Sequence, residues 1–200
     1  MTKIKLCGLT RDCDIEYANE LKPDYIGFVF AEKSKRYVSP EKSQLLRKQL
    51  RSGIVPVGVF VDEKPGVIAG LANRNIIEVV QLHGSEDNCY IENLRKLTKC
   101  AIIKAFRIES AADIKAAELS SADYVLLDSG GGSGAVFDWS LIRGIKRPYF
   151  LAGGLTPENV GAAIAELQPF AVDASSSLEA DGFKDKNKMT AFVESVRKES

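Results

Sequence analysis

The stretch Ala122-Asp123-Tyr124-Val125-Leu126-Leu127-Asp128 contains an uninterrupted apolar run that ends in a carboxylate. A strand that is apolar on both faces is typical of a parallel sheet covered by helices, because neither face meets water. Val57-Gly58-Val59-Phe60-Val61 has the same character. These stretches predict an α/β fold in which parallel strands alternate with helices.

Eight strand segments of this kind run along the 200-residue chain, with amphipathic helical segments in the gaps. The predicted strands are 3–7, 24–30, 54–61, 77–82, 101–106, 122–128, 148–152 and 169–174. The predicted helices are 12–21, 42–50, 64–73, 88–98, 110–119, a short stretch after Asp138, one ending near Leu167, and 185–197. Eight β–α units predict a single-domain (β/α)8 TIM barrel over residues 1–200, with an open doubly wound sheet as the alternative. The chain would be a short version of that barrel.

Three helix starts carry capping signals, which are side chains suited to accept hydrogen bonds from the first turn. These signals are Thr10, Ser39-Pro40-Glu41 and Thr156-Pro157-Glu158.

The composition argues against several functional classes. Lys plus Arg and Asp plus Glu both number 27, so the formal net charge of zero predicts no nucleic-acid binding. The sequence has no apolar run of membrane-span length and no signal-peptide core, so we expect no membrane attachment. Cys7, Cys13, Cys89 and Cys100 form no CxxC pair, and His83 is the single histidine. We therefore predict free thiols, no metal, no cofactor and a cytoplasmic location. A monomer is expected, because neither the net charge of zero nor a standard barrel requires a second subunit.

Polar residues and glycines concentrate at the predicted strand ends, where TIM barrels place their chemistry. They are Cys7, Phe30, Asp62, Gln81 with His83, Arg107, Asp128, Gly153-Gly154 and Ser175-Ser176. Alternate residues of a strand share a face, so Lys5 and Cys7 should point into the barrel. Asp128 should do the same, together with Tyr124 and Leu126. Cys7 and Asp128 are then expected to meet at the barrel mouth.

Each candidate also has a structural reading. Cys7 is either a small buried side chain or a base, and a base must form thiolate from a thiol of pKa about 8.5. Lys5 would favour the thiolate, or pair instead with Asp173. Asp128 is either a loop or capping residue, or an acid whose pKa is raised by apolar surroundings.

Other polar residues suit the binding of an anionic ligand. Gln81 and His83 share a strand face. Gln81 either satisfies polar groups inside the barrel or contacts a ligand. His83 is either solvated in a loop, held by a structural hydrogen bond, or in contact with a ligand. Arg36 belongs to a basic loop that is either solvated or a clamp for carboxylate or phosphate. Gly153-Gly154 and Ser175-Ser176 are either ordinary turns or a phosphate site, and their occurrence as a pair on adjacent strands favours the phosphate site, to which backbone N–H groups and helix starts would contribute.

One further loop and one further aspartate follow the sixth predicted strand. The loop Gly130-Gly131-Gly132-Ser133-Gly134 is interpreted as a lid over the site or as a flexible connection. Asp138 is a candidate cap for the next helix.

The ordered set of motifs resembles the phosphoribosylanthranilate isomerase family of tryptophan biosynthesis over nearly the whole chain. The matching stretches are Lys5-Leu6-Cys7-Gly8-Leu9-Thr10, 27–30, 34–40, 57–61, 80–84, Leu127-Asp128, Gly132-Ser133-Gly134, 137–139, 151–155, 157–160, 171–173 and Ser175-Ser176. Departures from the family pattern stand at Leu6, Leu9, Ala152, Ala174 and Ser177-Leu178. They leave the candidate acid and base in place.

The resemblance implies a cofactor-free Amadori rearrangement of N-(5-phosphoribosyl)anthranilate to 1-(2-carboxyphenylamino)-1-deoxyribulose 5-phosphate. By that resemblance Asp128 is the general acid, Cys7 the general base, and Arg36 the ligand of the anthranilate carboxylate. Gly153, Gly154, Ser175 and Ser176 would surround the phosphate. The alternatives are a phosphosugar-binding barrel without catalysis, or one of different specificity. Histidine-pathway isomerases are a weaker fit, because they would be expected to use aspartates at the ends of strands one and five.

Overall fold

The computed structural model describes residues 1–128 and 139–199, in which eight parallel strands close into a barrel in chain order. The strands are β1 (Lys3–Cys7), β2 (Tyr25–Val29), β3 (Val55–Phe60), β4 (Val79–Leu82), β5 (Ala101–Arg107), β6 (Tyr124–Asp128), β7 (Tyr149–Ala152) and β8 (Ala171–Ala174). The predicted (β/α)8 TIM barrel is therefore confirmed. Every predicted strand is present, and most are shorter than predicted at one or both ends.

Helices cover the outside of this barrel. Those of the described residues are α1 (Asp12–Leu21), α2 (Pro40–Gln49), α3 (Pro65–Asn73), α4 (Asn88–Arg95), α5 (Ala111–Glu118), α6 (Val160–Leu167) and α7 (Lys186–Lys198). The helix expected after Asp138 is a 3-10 turn, Trp139–Leu141, and Asp138 itself lies outside the described residues. A small hairpin of β9 (Glu179–Ala180) and β10 (Phe183–Lys184) precedes α7. None of the helices in the described ranges has the length and apolarity to cross a bilayer.

The capping predictions have mixed outcomes. Ser39 caps α2 as predicted, because its hydroxyl accepts a hydrogen bond from the Lys42 backbone N–H at 3.2 Å. The prediction for Thr10 was wrong. The carboxylate of Asp14 turns back and accepts from the N–H groups of both Thr10 and Arg11 at 2.9 Å, which satisfies the start of α1 from inside the helix.

Thr156 also fails as a cap, because α6 begins four residues later, at Val160. Residues 156–159 form a turn in which Asn159 Oδ1 accepts from the Thr156 N–H at 2.8 Å. At the last helix, Asp185 is the cap rather than the first helical residue, since it accepts from the Lys188 N–H at 2.9 Å. Short polar side chains with local partners thus set the helix boundaries.

The core has two layers, one between the strands and the helices and one inside the barrel. The outer layer lies between strands and helices and includes Ile4 and Leu6 of β1, as alternation predicts. The inner layer fills the barrel with side chains that include Leu126 and Phe150. Aromatic rings around Phe150 close the amino-terminal end of the barrel: Tyr25, Tyr124 and Phe170. The polar residues at the carboxyl ends of the strands face the opposite end of the barrel, where they line a cavity.

Candidate active site

A cavity of about 300 Å³ opens at this mouth. It is lined by all nine residues that the sequence singles out as site residues: Cys7, Arg36, Gln81, His83, Asp128, Gly153, Gly154, Ser175 and Ser176. The other residues of the strand-end set do not line it. Phe30 is buried in a stack on Phe60, and the exposed Arg107 pairs with Glu109 at 2.8 Å. Asp62 accepts hydrogen bonds from Ser85 instead.

The Cys7 thiol lies at the end of β1 and is packed against Val29 and Val59. It fits there because Gly27 is its partner on β2, and a Cβ at that position would lie 2.5 Å from Sγ. Burial raises the pKa of Cys7, and although Lys5 acts in the opposite direction, the pKa stays above the ordinary thiol value. The expectation that Lys5 would favour the thiolate is therefore right in sign, but burial outweighs it.

Lys5 is the fully buried neighbour of this thiol, and its ammonium lies 2.7 Å from Asp173 Oδ2. The pairing that the sequence offered as an alternative for Lys5 is confirmed, and it follows from the register that sets Lys5 of β1 opposite Asp173 of β8. Asp173 Oδ1 is also buried, and it has no hydrogen-bond partner in the part of the chain that the structure describes. Asp173 lines the cavity, so this oxygen is available to a donor on a bound molecule.

Gln81, His83 and Asp128 form a chain of polar contacts along the opposite wall. Gln81 Nε2 lies 3.1 Å from His83 Nδ1, and His83 Nε2 lies 3.6 Å from Asp128 Oδ2. With the amide nitrogen as donor, Nδ1 accepts and the ring proton resides on Nε2, which faces the carboxylate. His83 is therefore placed to orient the Asp128 carboxylate as well as to contact a ligand.

Arg36 reaches the cavity from the loop after β2, but its guanidinium is already engaged. Its Nε and Nη2 donate to Glu179 at 2.5 and 2.8 Å, and Lys184 Nζ donates to the same carboxylate. Sequence reasoning missed Glu179 and Lys184, which lie beyond the end of β8. Their signal is the turn Asp181-Gly182 between them, which folds the β9–β10 hairpin back over the mouth.

The glycine and serine stretches after β7 and β8 stand side by side on the remaining wall. Gly153 and Gly154 both line the cavity and both have positive φ, at 89° and 64°, a conformation that most residues avoid. The Ser175 hydroxyl is used internally, because it donates to the Cys7 carbonyl at 3.1 Å. The expected helix dipole is largely missing, since α6 begins only at Val160 and Ser176 opens a mere 3-10 turn.

The predicted lid, Gly130-Gly131-Gly132-Ser133-Gly134, lies outside the described residues, as does Asp138. Within residues 1–128 and 139–199, no group of three or more His, Cys, Asp or Glu side chains is arranged to hold a metal ion.

Comparison with known proteins adds a sequence and a structural relationship. The sequence model of the family described as N-(5'phosphoribosyl)anthranilate (PRA) isomerase matches residues 4–195. The N-(5'-phosphoribosyl)anthranilate isomerase of Caldanaerobacter subterraneus subsp. tengcongensis is 45% identical over 204 residues, which cover 98% of each chain.

Two solved structures are also close. The phosphoribosyl anthranilate isomerase of Thermotoga maritima has a TM-score of 0.91 and 38% identity, covering 99% of this chain and 100% of its own. A phosphoribosyl anthranilate isomerase in complex with reduced 1-(o-carboxyphenylamino)-1-deoxyribulose 5-phosphate has a TM-score of 0.89 and 37% identity over 99% and 100% of the two chains. A further structure from Thermotoga maritima describes monomers generated from that enzyme's dimeric form.

Proposed function

This chain belongs to the N-(5'-phosphoribosyl)anthranilate isomerase family, and we propose that it performs the family's reaction with Cys7 as base and Asp128 as acid. It is an isomerase of tryptophan biosynthesis, acting on a small phosphorylated substrate. The reaction converts N-(5-phosphoribosyl)anthranilate into 1-(2-carboxyphenylamino)-1-deoxyribulose 5-phosphate. The assignment of individual residues rests on their arrangement around the cavity.

The proposed sequence of steps needs one proton donor and one proton acceptor. Asp128 gives its proton to the ribose ring oxygen, the C1–O bond breaks, and the nitrogen lone pair forms a Schiff base with C1. The Cys7 thiolate then removes the proton from C2, and the released electron pair forms the C1–C2 double bond of an enolamine. Tautomerisation gives the C2 ketone and a methylene at C1. C2 is oxidised and C1 reduced, so the isomerisation balances without an external redox partner.

The observation that carries this proposal is that Cys7 and Asp128 line the same cavity, together with groups suited to bind anions. Cys7 ends β1 and Asp128 ends β6, so the two groups approach a bound sugar from different strands. The His83 ring faces the Asp128 carboxylate at 3.6 Å and so helps to fix the direction of that carboxyl group in the cavity. The raised pKa of Cys7 means that thiolate is scarce at neutral pH, so proton abstraction should become easier as the pH rises.

The two ends of the substrate fit the two kinds of anion site. Arg36 is assigned to the anthranilate carboxylate, and Gly153, Gly154, Ser175 and Ser176 to the phosphate through backbone N–H groups. Gln81 and His83 line the space between and are assigned to the sugar. This distribution would orient C2 toward β1 and the ring oxygen toward β6.

The test is turnover of freshly prepared N-(5-phosphoribosyl)anthranilate by the purified chain in the presence of a chelator. We expect the ketose product to form, and we expect Arg36→Ala to raise KM by about tenfold or more while kcat changes less. Arg107→Ala is the matched control, because this strand-end arginine is exposed, pairs with Glu109 and does not line the cavity. Failure of the wild-type chain to form product contradicts the proposed function. An unchanged KM in Arg36→Ala removes the carboxylate clamp.

Three further expectations belong to the same proposal. The whole chain, residues 1–200, is proposed to act as one domain. A cytoplasmic location is supported by the four cysteines, all of which are free thiols. A monomer is proposed for this chain, although the Thermotoga maritima enzyme has a dimeric form. Sedimentation velocity tests the last point, and a species of twice the 21.8 kDa chain mass contradicts it.

A further inference from the structure

We propose that Glu179 is a positioning residue that holds the Arg36 guanidinium with its terminal edge toward the cavity, and so makes the enzyme selective for a carboxylated aromatic amine. This inference rests on the proposed function of the site and adds a residue to it. Glu179 and its partner Lys184 follow β8 in the small hairpin, beyond the strand ends where the catalytic groups stand.

The two bonds between Arg36 and Glu179 define the orientation of the guanidinium. Nε donates to Oε1 at 2.5 Å and Nη2 donates to Oε2 at 2.8 Å, a side-on bidentate pair. A guanidinium has five N–H donors in a rigid plane, and these bonds use two of them. The bonds to Glu179 leave both N–H groups of Nη1 and the second N–H of Nη2. One N–H of Nη1 and the remaining N–H of Nη2 form the terminal edge, and these two parallel donors suit a second carboxylate.

Glu179 is itself held in place by a second cation, Lys184. Lys184, whose side chain is only 1% exposed, donates to Glu179 Oε1 and also to the Ser175 carbonyl at 2.9 Å. The two residues face each other in the β9–β10 pairing. Lys184 thus holds the Glu179 carboxylate beside Ser175, and the carboxylate in turn fixes Arg36 to that wall of the cavity.

The aliphatic stem of Arg36 is restrained as well. It passes over Gly8, where a Cβ would lie 2.5 Å from Arg36 Cδ. The stem is thus seated beside the residue that follows Cys7, while the guanidinium is fixed by Glu179. Both ends of the side chain are set before substrate arrives, which lowers the conformational entropy that binding must remove.

The charges of this group also favour an anionic ligand. Arg36 and Lys184 share one carboxylate. Burial lowers the pKa of Lys184, and its bond to Glu179 acts in the opposite direction. With Lys184 protonated, the cluster has one net positive charge. Burial raises the pKa of Glu179, but the hydrogen bonds from Arg36 and Lys184 outweigh it, and the pKa lies below its ordinary value. Glu179 therefore stays ionised at neutral pH and keeps its hold on Arg36.

The experiment compares Glu179→Gln with wild type on two substrates, N-(5-phosphoribosyl)anthranilate and N-(5-phosphoribosyl)aniline, which lacks the carboxylate. We expect the ratio of kcat/KM for the first substrate over the second to fall by about tenfold, mostly through KM of the carboxylated substrate. Turnover of the aniline compound should change by less than about threefold, because it makes no bond to Arg36. The control is Glu109→Gln, which breaks an exposed arginine pair on the same rim and should leave the ratio unchanged.

The ratio is measured on one preparation, so the fraction of folded enzyme cancels from it. An unchanged ratio in Glu179→Gln overturns the inference, and so does an equal loss on both substrates, which would mark a purely structural role. If Glu179→Gln does not fold, Glu179→Asp replaces it, because the shorter carboxylate keeps the charge but withdraws from Arg36; a preserved ratio then overturns the inference. If wild type converts neither substrate, it is the proposed function that fails.

Discussion

Replacing Gly27 by alanine is the sharpest geometric test of where the Cys7 thiol works. Gly27 of β2 is the register partner of Cys7 of β1, and the two residues approach closely at the barrel mouth. A Cβ at position 27 would lie 2.5 Å from Cys7 Sγ, 3.1 Å from its Cα and 3.3 Å from its Cβ. The side chain and the backbone of Cys7 therefore both stand in the way of one methyl group.

The displacement follows from ordinary contact distances. Heavy atoms without a bond between them pack at about 3.5–4.0 Å, so the sulfur must move by about 1 Å or more. A shift of about 1 Å in a reacting group costs on the order of 10²-fold in rate. Overpacking of this kind lowers the free energy of unfolding by about 1–3 kcal/mol. Gly27→Ala should thus remain folded at room temperature while losing most of its turnover.

The assay is kcat for N-(5-phosphoribosyl)anthranilate together with thermal unfolding of the same sample. Gly66→Ala is the control, because Gly66 lies exposed in α3 and a Cβ there meets no atom within 4 Å. That substitution should leave kcat unchanged and stabilise the helix by up to about 1 kcal/mol. Turnover of Gly27→Ala within about twofold of wild type would refute the claim that the position of the Cys7 sulfur controls the reaction.

Two other substitutions test the electrostatics of the fold. Lys5→Met removes the cation that lowers the pKa of Cys7, so the rise of kcat/KM with pH should move to higher pH. An unchanged pH profile would mean that Lys5 does not influence the ionisation of the thiol. The same substitution leaves the buried Asp173 carboxylate without its ion-pair partner, which should lower the free energy of unfolding by about 3 kcal/mol. Burial raises the pKa of Tyr149 to about 12, so its stabilisation is complete below the unfolded pKa of about 10 and is lost as the pH rises to about 12. Tyr149→Phe, which loses the 2.6 Å bond to the Leu167 carbonyl, should cost about 1 kcal/mol at neutral pH and lessen the alkaline loss of stability seen in denaturant titrations.

The barrel and the meeting of Cys7 with Asp128 could be predicted because both depend on local periodicity. Alternation along a strand fixes which side chains face inward, and parallel strands bring their carboxyl ends to one rim. The pairing of Lys5 with Asp173 was accessible for the same reason, since both face inward on neighbouring strands.

Features that depend on chain reversal or on a balance of opposing effects were not accessible in the same way. Glu179 and Lys184 return to the mouth through a hairpin. Because they lie several residues beyond the end of β8 in the sequence, the position of the strand end does not predict that they are near the site. The pKa of Cys7 is set by the contest between burial and Lys5, which requires the actual packing to decide. Thr10 failed as a cap because Asp14, inside the helix, competes for the same N–H groups.

The central claim is that Cys7 and Asp128 carry the proton transfers. The most direct measurement is kcat of Cys7→Ala and Asp128→Ala with N-(5-phosphoribosyl)anthranilate at saturating concentration, beside Cys89→Ala, whose thiol is exposed and away from the cavity. A positioned acid or base contributes roughly 10²–10⁴-fold, so each of the first two variants should lose at least about two orders of magnitude while the third keeps full activity. Near-normal turnover by Cys7→Ala or Asp128→Ala would contradict the account.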